Sequence, residues 1–194
     1  MTYTYNSYYL DLTNKTIQKA LETHNRLLTL CVDLRFPSDD VFHLNNGKVI
    51  TRFFESLKAK INADIRRKEN RWGRKLNCPL FYIWAREFGN VNNNKHYHVL
   101  ILVNKDIYFT LGDFVREYGN LSAMIKQAWC SAITLPYEKY KSLVHFPNNA
   151  HLYLDKNKPD FESQYLHLTE RAKYLTKDYT KRYHDGERSF GTSR

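Results

Sequence analysis

"NNNKHYHVLILVNKD", residues 92–106, is the stretch on which the reading of this chain turns. From Val99 to Val103 the run is apolar on both faces, as a central strand covered on both sides requires. Two histidines, His96 and His98, stand one residue apart at its entrance. In an extended strand residues i and i+2 point the same way, with Cα atoms about 6.5–7 Å apart. Both imidazoles therefore aim at one point, while Tyr97 faces the opposite layer. Such a pair suits a shared metal ion, and it also suits two hydrogen-bonded surface residues at a strand end.

Upstream, "PLFYIWARE" (79–87) is rich in aromatics and reads as a strand. The segment "FGNVNNNK" between the two runs is turn chemistry throughout, so the strands are expected to pair antiparallel. Glu87 then falls across the hairpin from the histidines. Directly opposed residues on paired strands project from the same face, so its carboxylate is a candidate third ligand. Arg86 or Lys95 is the alternative partner for that carboxylate at the surface.

Farther out, "TNKTIQKALETHNRL" (13–27) has helical spacing, opening at a capping Thr13 or Asn14, with Ile17, Ala20, Leu21 and His24 on one face. "LLTLCVDLRF" (27–36) reads as a strand stopped by Pro37. Ile50, Phe53, Phe54, Leu57, Ile61 and Ile65 form a helical stripe, with Arg52, Lys58, Arg66 and Lys68 off it as a basic face. Leu121, Ile125, Ala128, Trp129 and Ala132 mark another helix, whose start near Gly119 and Asn120 is left open. "SLVHF" and "HLYLD", within 142–155, supply one or two strands, and a last helix spans 161–182. Strand, helix, strand, strand, helix, strand is an α+β order. It predicts a ferredoxin-like (split βαβ) core, a central antiparallel sheet with helices packed on it and an extra helix at each end. The expectation is one domain over 1–194, with 1–13 and 184–194 as flexible tails.

Thirty Lys and Arg against twenty Asp and Glu give a net charge of +10, an excess that attracts polyanions, nucleic acid first among them. Fifteen tyrosines, eleven phenylalanines and three tryptophans point the same way, because exposed rings stack on unpaired bases. Cys31, Cys78 and Cys130 are far apart and odd in number, which argues against a disulfide framework or a cysteine zinc site. The first residues lack an apolar leader and "VLILV" is too short to span a bilayer, so no membrane association and a cytoplasmic location are expected.

The last motif is "RAKYLTKDYTKRY" (171–183). Tyr165, Leu168, Ala172, Leu175, Tyr179 and Tyr183 follow the spacing of a core stripe. Tyr174 falls outside it, with His167, Arg171, Lys177 and Lys181, and is expected to project amid positive charge. A phenol that attacks phosphorus must shed its proton, which a neighbouring ammonium such as that of Lys177 favours.

"HYH" on a central strand, with "YLTK" on a later helix, resembles the HUH endonucleases. The wider pattern, "YIWAREFGNVNNNKHYHVLILVNKD", "IKQAW", "RAKYLTK" and "RSFGTSR", is similar to the replication proteins of inoviruses and to the YagK/YfjJ-like prophage proteins. The likeness covers most of the chain from about residue 27.

The resemblance implies metal-dependent nicking and rejoining of single-stranded DNA through a 5′-phosphotyrosine, initiating rolling-circle replication of a phage or prophage-like element in a bacterial cell. It implies His96 and His98 as ligands of a Mg²⁺ or Mn²⁺ ion, with Glu87 as the third. Tyr174 becomes the nucleophile and Lys177 the lysine of the tyrosine motif. Only one tyrosine is so placed, which argues against a two-tyrosine strand transfer. The implied partners are an origin, as a hairpin or its flank, and a host helicase and polymerase, because the chain carries no GxxxxGK[ST] motif. Phosphate contacts are expected from the basic faces of the 50–69 and 162–182 helices, including Arg171, Lys173 and Lys181. A non-cleaving DNA-binding regulator on the same fold, and an HUH transposase or relaxase, are the alternatives. An RNA-binding module is disfavoured by the missing basic-Gly-aromatic signature.

Overall fold

The computed structural model describes residues 4–37, 47–89, 94–113 and 116–193. The elements run α1 (Ser7–Thr23), β1 (Arg26–Arg35), α2 (Val49–Trp72), β2 (Phe81–Phe88), β3 (Lys95–Asn104), α3 (Leu121–Ile133), α4 (Tyr137–Tyr140), β4 (Val144–His145), β5 (His151–Asp155), α5 (Phe161–Lys173) and β6 (Phe190–Thr192). The strands form one antiparallel sheet in the order β4-β1-β3-β2-β6, with β5 also pairing β1. This is the α+β, split βαβ arrangement expected from the element order. "SLVHF" and "HLYLD" are two strands, and both lie along β1 because the chain breaks at Pro147 and turns at Asn149, which has φ 58°.

The doubly apolar stretch of β3 is buried because each face of the sheet carries its own core. On one face Phe53, Leu57 and Ile61 of α2 and Ile125 and Trp129 of α3 pack on Val32, Leu34, Tyr97, Val99 and Ile101. The Trp129 indole donates to the Arg35 carbonyl at 2.8 Å, which satisfies its only polar group in that core. On the other face Ile17, Ala20 and Leu21 of α1 and Leu168 and Ala172 of α5 cover Leu27, Ile83, Ala85 and Leu100. The second face is only partly covered, and it carries the candidate site.

Three expectations are corrected. The first helix opens at Ser7, not at Thr13 or Asn14: Asn6 accepts from the Tyr9 amide at 3.1 Å and caps it. The tails expected at 1–13 and 184–194 are built into the fold over their described residues. Tyr9 stacks on Phe190 with centroids 4.4 Å apart, and β6 pairs with β2. A Cβ at Gly191 would sit 2.7 Å from the Trp84 indole, so only glycine allows β6 to lie there. Arg86, buried on β2, anchors the same segment through Asp185 at 2.7 Å and Glu187 at 3.0 Å. Finally, the helix expected over 161–182 ends at Lys173 and tightens into a 3₁₀ turn at Tyr174–Thr176. Beyond it the backbone pairs with the N-terminal residues instead: the Asn6 amide donates to the Thr176 carbonyl at 2.9 Å, and the Asp178 amide to Thr4 at 3.0 Å. Thr176, Asp178 and Thr180 are weak helix formers that yield readily to that competition. Residues 90–93 of the turn expected at 88–95 lie outside the described residues, and among those described no helix is long and apolar enough to cross a membrane.

Candidate metal centre and tyrosine cleft

Register places the site. Glu87 pairs with His96, and His96 with Arg35; one pleat along, Ala85 pairs with His98, His98 with Asp33, and Asp33 with His145. Partners across a sheet share a face, so the side chains of four strands point to one side at the open end of β3. Nε2 of His96 and Nε2 of His98 lie 3.1 Å apart, and the Glu87 carboxylate reaches within 3.5 Å of His98 Nε2. One ligand atom from each of Glu87, His96 and His98 lies within 4.8 Å of the others. Neighbouring ligands of one ion at about 2.1 Å stand about 3–3.4 Å apart, so the three side chains fit a divalent ion with little movement. Two imidazoles and a carboxylate suit manganese better than magnesium. Glu87 Oε1 is buried with the Lys181 ammonium 3.5 Å away, so Oε2, 3.5 Å from His98 Nε2, is the oxygen placed for an ion.

Asp33 is the residue that sequence reasoning missed. One of its oxygens lies 2.7 Å from His98 Nδ1, and the other 3.1 Å from His145 Nδ1. A carboxylate on the far nitrogen fixes a histidine's tautomer and ring orientation, leaving Nε2 for an ion. The available signal was the alternation Thr29, Cys31, Asp33, Arg35 on β1, a polar face opposite Leu28, Leu30, Val32 and Leu34.

The site is tightly charged. Burial lowers the affinity of His98 for a proton, but its bonds with Asp33 and Glu87 outweigh that and push its pKa up to about 9. Burial works to raise the Glu87 carboxyl, yet the contact with His98 and the nearby Lys181 charge hold it at about 2. Burial and the neighbouring His98 charge lower His96. An ion bound at His98 Nε2 would take the place of the proton there, beside Glu87, while Asp33 would keep its hydrogen bond to Nδ1.

The lysines depart from expectation. Lys177 and Lys181, read as surface cations beside Tyr174, are both buried. Their ammonium groups lie 3.7 Å and 3.5 Å from the two oxygens of Glu87, and Lys181 donates to the Lys177 carbonyl at 2.6 Å. Lys181 is thus a buried counter-charge rather than part of a DNA-facing surface. The chain leaves the helix after Thr176, which turns 177 and 181 inward under the end of β2. Two ammonium groups beside one carboxylate offset the charge that Glu87 would present to a cation.

Tyr174 is 46% exposed, with the Lys177 Nζ 3.4 Å from its ring centroid. It lines a cleft of about 430 Å³ together with Asp33, His98, Arg171, Leu175 and Cys31. Arg171, in the cleft wall, donates to the Asn149 carbonyl at 2.6 Å, while Lys173 lies 4.9 Å from the ring centroid of Tyr5. Tyr179 and Tyr183, expected on the core stripe, are 65% and 41% exposed: the helical spacing that placed them inside does not exist beyond Thr176.

Fold and site together define an antiparallel α+β protein with a two-histidine, one-carboxylate cluster beside a half-exposed tyrosine at a helix end. The chain belongs to the YagK/YfjJ C-terminal domain family, whose model matches residues 2–193. It is 40% identical over 187 residues to "Uncharacterized protein YagK" of Escherichia coli (strain K12), spanning 93% of this chain and 89% of that one. "Uncharacterized protein YfjJ" of the same strain is 34% identical over 197 residues, covering 97% and 94% of the two chains. No solved structure matches this chain.

Proposed function

We propose that this protein nicks and rejoins single-stranded DNA in the manner of the HUH endonucleases, as the replication initiator of a phage or prophage-like element. The observation that carries the reading is the shared cleft. Tyr174 from the end of α5 and His98 from β3, far apart in sequence, line one opening, and His98 belongs to the only cluster among the described residues able to hold a metal ion. His96, His98 and Glu87 would hold a divalent ion, and Asp33 keeps His98 turned toward it. When bound, that ion supplies Lewis-acid polarisation of the scissile phosphate. Tyr174 Oη forms a bond to phosphorus as its proton passes to solvent. The P–O3′ bond breaks, and the departing oxygen takes up a proton as a free 3′-OH. The 5′-phosphate stays on Tyr174, and the reverse step rejoins the strand. Arg171, in the cleft wall, stands where a flanking phosphate would pass, and Lys173 adds positive charge at the end of the same helix.

The test is incubation with labelled single-stranded DNA and Mn²⁺. A covalent protein–DNA band is expected, absent in Tyr174→Phe and in the His96→Ala/His98→Ala double variant, both of which still bind DNA. Mass spectrometry should place the DNA-linked peptide at Tyr174. A link at Tyr179 or Tyr183 would overturn the assignment of the nucleophile, and DNA binding without any cleavage would favour a regulator.

A further inference from the structure

At the opposite end of the sheet from the cleft lies a basic pole that the nicking site does not use. Residues 66–75, "RRKENRWGRK", carry six cations and one carboxylate. Arg66, Arg67, Arg71, Arg74 and Lys75 are all exposed on the last turns of α2 and just beyond. The carboxylates at this end are already engaged: Asp64 with Lys68, Arg67 and the Tyr108 hydroxyl, Glu69 with Lys75 and the Leu76 amide, and Asp106 and Asp155 with Arg26. Among the described residues no carboxylate pairs with Arg66, Arg71 or Arg74.

The same pole carries exposed rings. Trp72 is 40% exposed, with the Arg74 guanidinium 5.7 Å from its ring centroid. Lys68 donates to the Ile107 carbonyl at 3.4 Å, tying α2 to the segment that follows β3. There Phe109, 63% exposed, stacks on Tyr153 of β5 with centroids 5.7 Å apart and planes 23° from parallel. Lys105 Nζ lies 4.3 Å from the Tyr153 ring centroid and 5.5 Å from that of Phe109. Unpaired cations alternating with open aromatic faces are the two requirements for holding a single strand: the cations track phosphates and the rings stack bases.

We infer that this pole is a second binding surface for single-stranded nucleic acid, built from Arg66, Arg71, Trp72, Arg74, Lys105 and Phe109. Asn104 lies six residue steps along β3 from His98, so the pole lies about 20 Å along the sheet from the candidate metal centre. A strand held there is anchored away from the point of cutting. The partner's identity rests on the nucleic-acid reading above, but the surface does not depend on catalysis.

The test is fluorescence anisotropy in EDTA with a labelled mixed-sequence DNA strand of about 20 nucleotides, long enough to meet more than one surface. Titrations between about 50 and 200 mM salt give the slope of log affinity against log salt. The triple variant Arg66→Gln/Arg71→Gln/Arg74→Gln should lower that slope by about 2, at about 0.7 for each phosphate contact removed. Phe109→Ala and Trp72→Ala should each weaken binding about five-fold or more at fixed salt. All of these side chains are exposed, so unchanged thermal unfolding accompanies the expected result. Wild-type slope and affinity in the triple variant would overturn the inference, as would a loss confined to duplex DNA of the same length. A protein that never nicks but loses slope in the triple variant keeps this surface and refutes only the nicking proposal.

Discussion

Raising the pH should loosen the metal-free protein through His98. Its pKa stands at about 9 in the folded chain, lifted by Asp33 and Glu87 against the effect of burial. In an unfolded chain a histidine titrates near about 6.5. A group with the higher pKa in the folded state stabilises fully below its unfolded value, and that stabilisation is lost as pH climbs through the folded one. The window therefore runs from about pH 6.5 to about pH 9. A difference of about 2.5 units at 1.36 kcal/mol each sets a ceiling of about 3.4 kcal/mol. The imidazole keeps 26% of its surface, and solvent screening brings the working figure to about 2 kcal/mol. The depressed Glu87 describes the same contact from its other side, so it is not added. In a chain of this length that energy corresponds to a drop in Tm of about 4–8 °C. Scanning calorimetry in EDTA on wild type and His98→Gln isolates the effect from every other titration. Wild type should be the more stable protein near pH 6, about where the charge is complete, and should lose that advantage by about pH 9.5. Parallel curves across that range would refute a charged His98 held between two carboxylates.

Asp33→Ala should lower Mn²⁺ affinity about 10–100-fold, because it removes the acceptor that orients His98. Electron paramagnetic resonance of added Mn²⁺ reads this without any DNA, and unchanged affinity would leave Asp33 a purely structural partner. Arg86→Met should cost about 1–3 kcal/mol in urea unfolding, since it takes the buried guanidinium from Asp185 and from the Arg182 and Glu187 carbonyls, while Lys95 stays on Glu187. Amide exchange at Phe190–Thr192 should quicken in the same variant, because Arg86 holds that strand against β2.

Much of the architecture was legible in the residues because short-range physics decides it. Alternation and apolar runs in β1, β2 and β3 and the six-residue stripe of α2 each have a period that only one element satisfies. The i, i+2 geometry of His96 and His98, and a carboxylate one hairpin away, follow from the extended backbone alone. What the tertiary structure decided lies where distant segments compete for the same backbone groups or charges. Helical spacing carried through Tyr179 and Tyr183 on paper, but Thr4–Asn6 takes the hydrogen bonds that a longer α5 would need, and the helix stops at Lys173. Lys177 and Lys181 looked like surface cations until Glu87, nearly a hundred residues upstream, drew them inside. Asp33 became part of the site through the register of β1 with β3, which no local pattern states. A side chain's face is written in its neighbours, whereas its partner across the sheet is set by how the whole chain satisfies its buried charges and backbone.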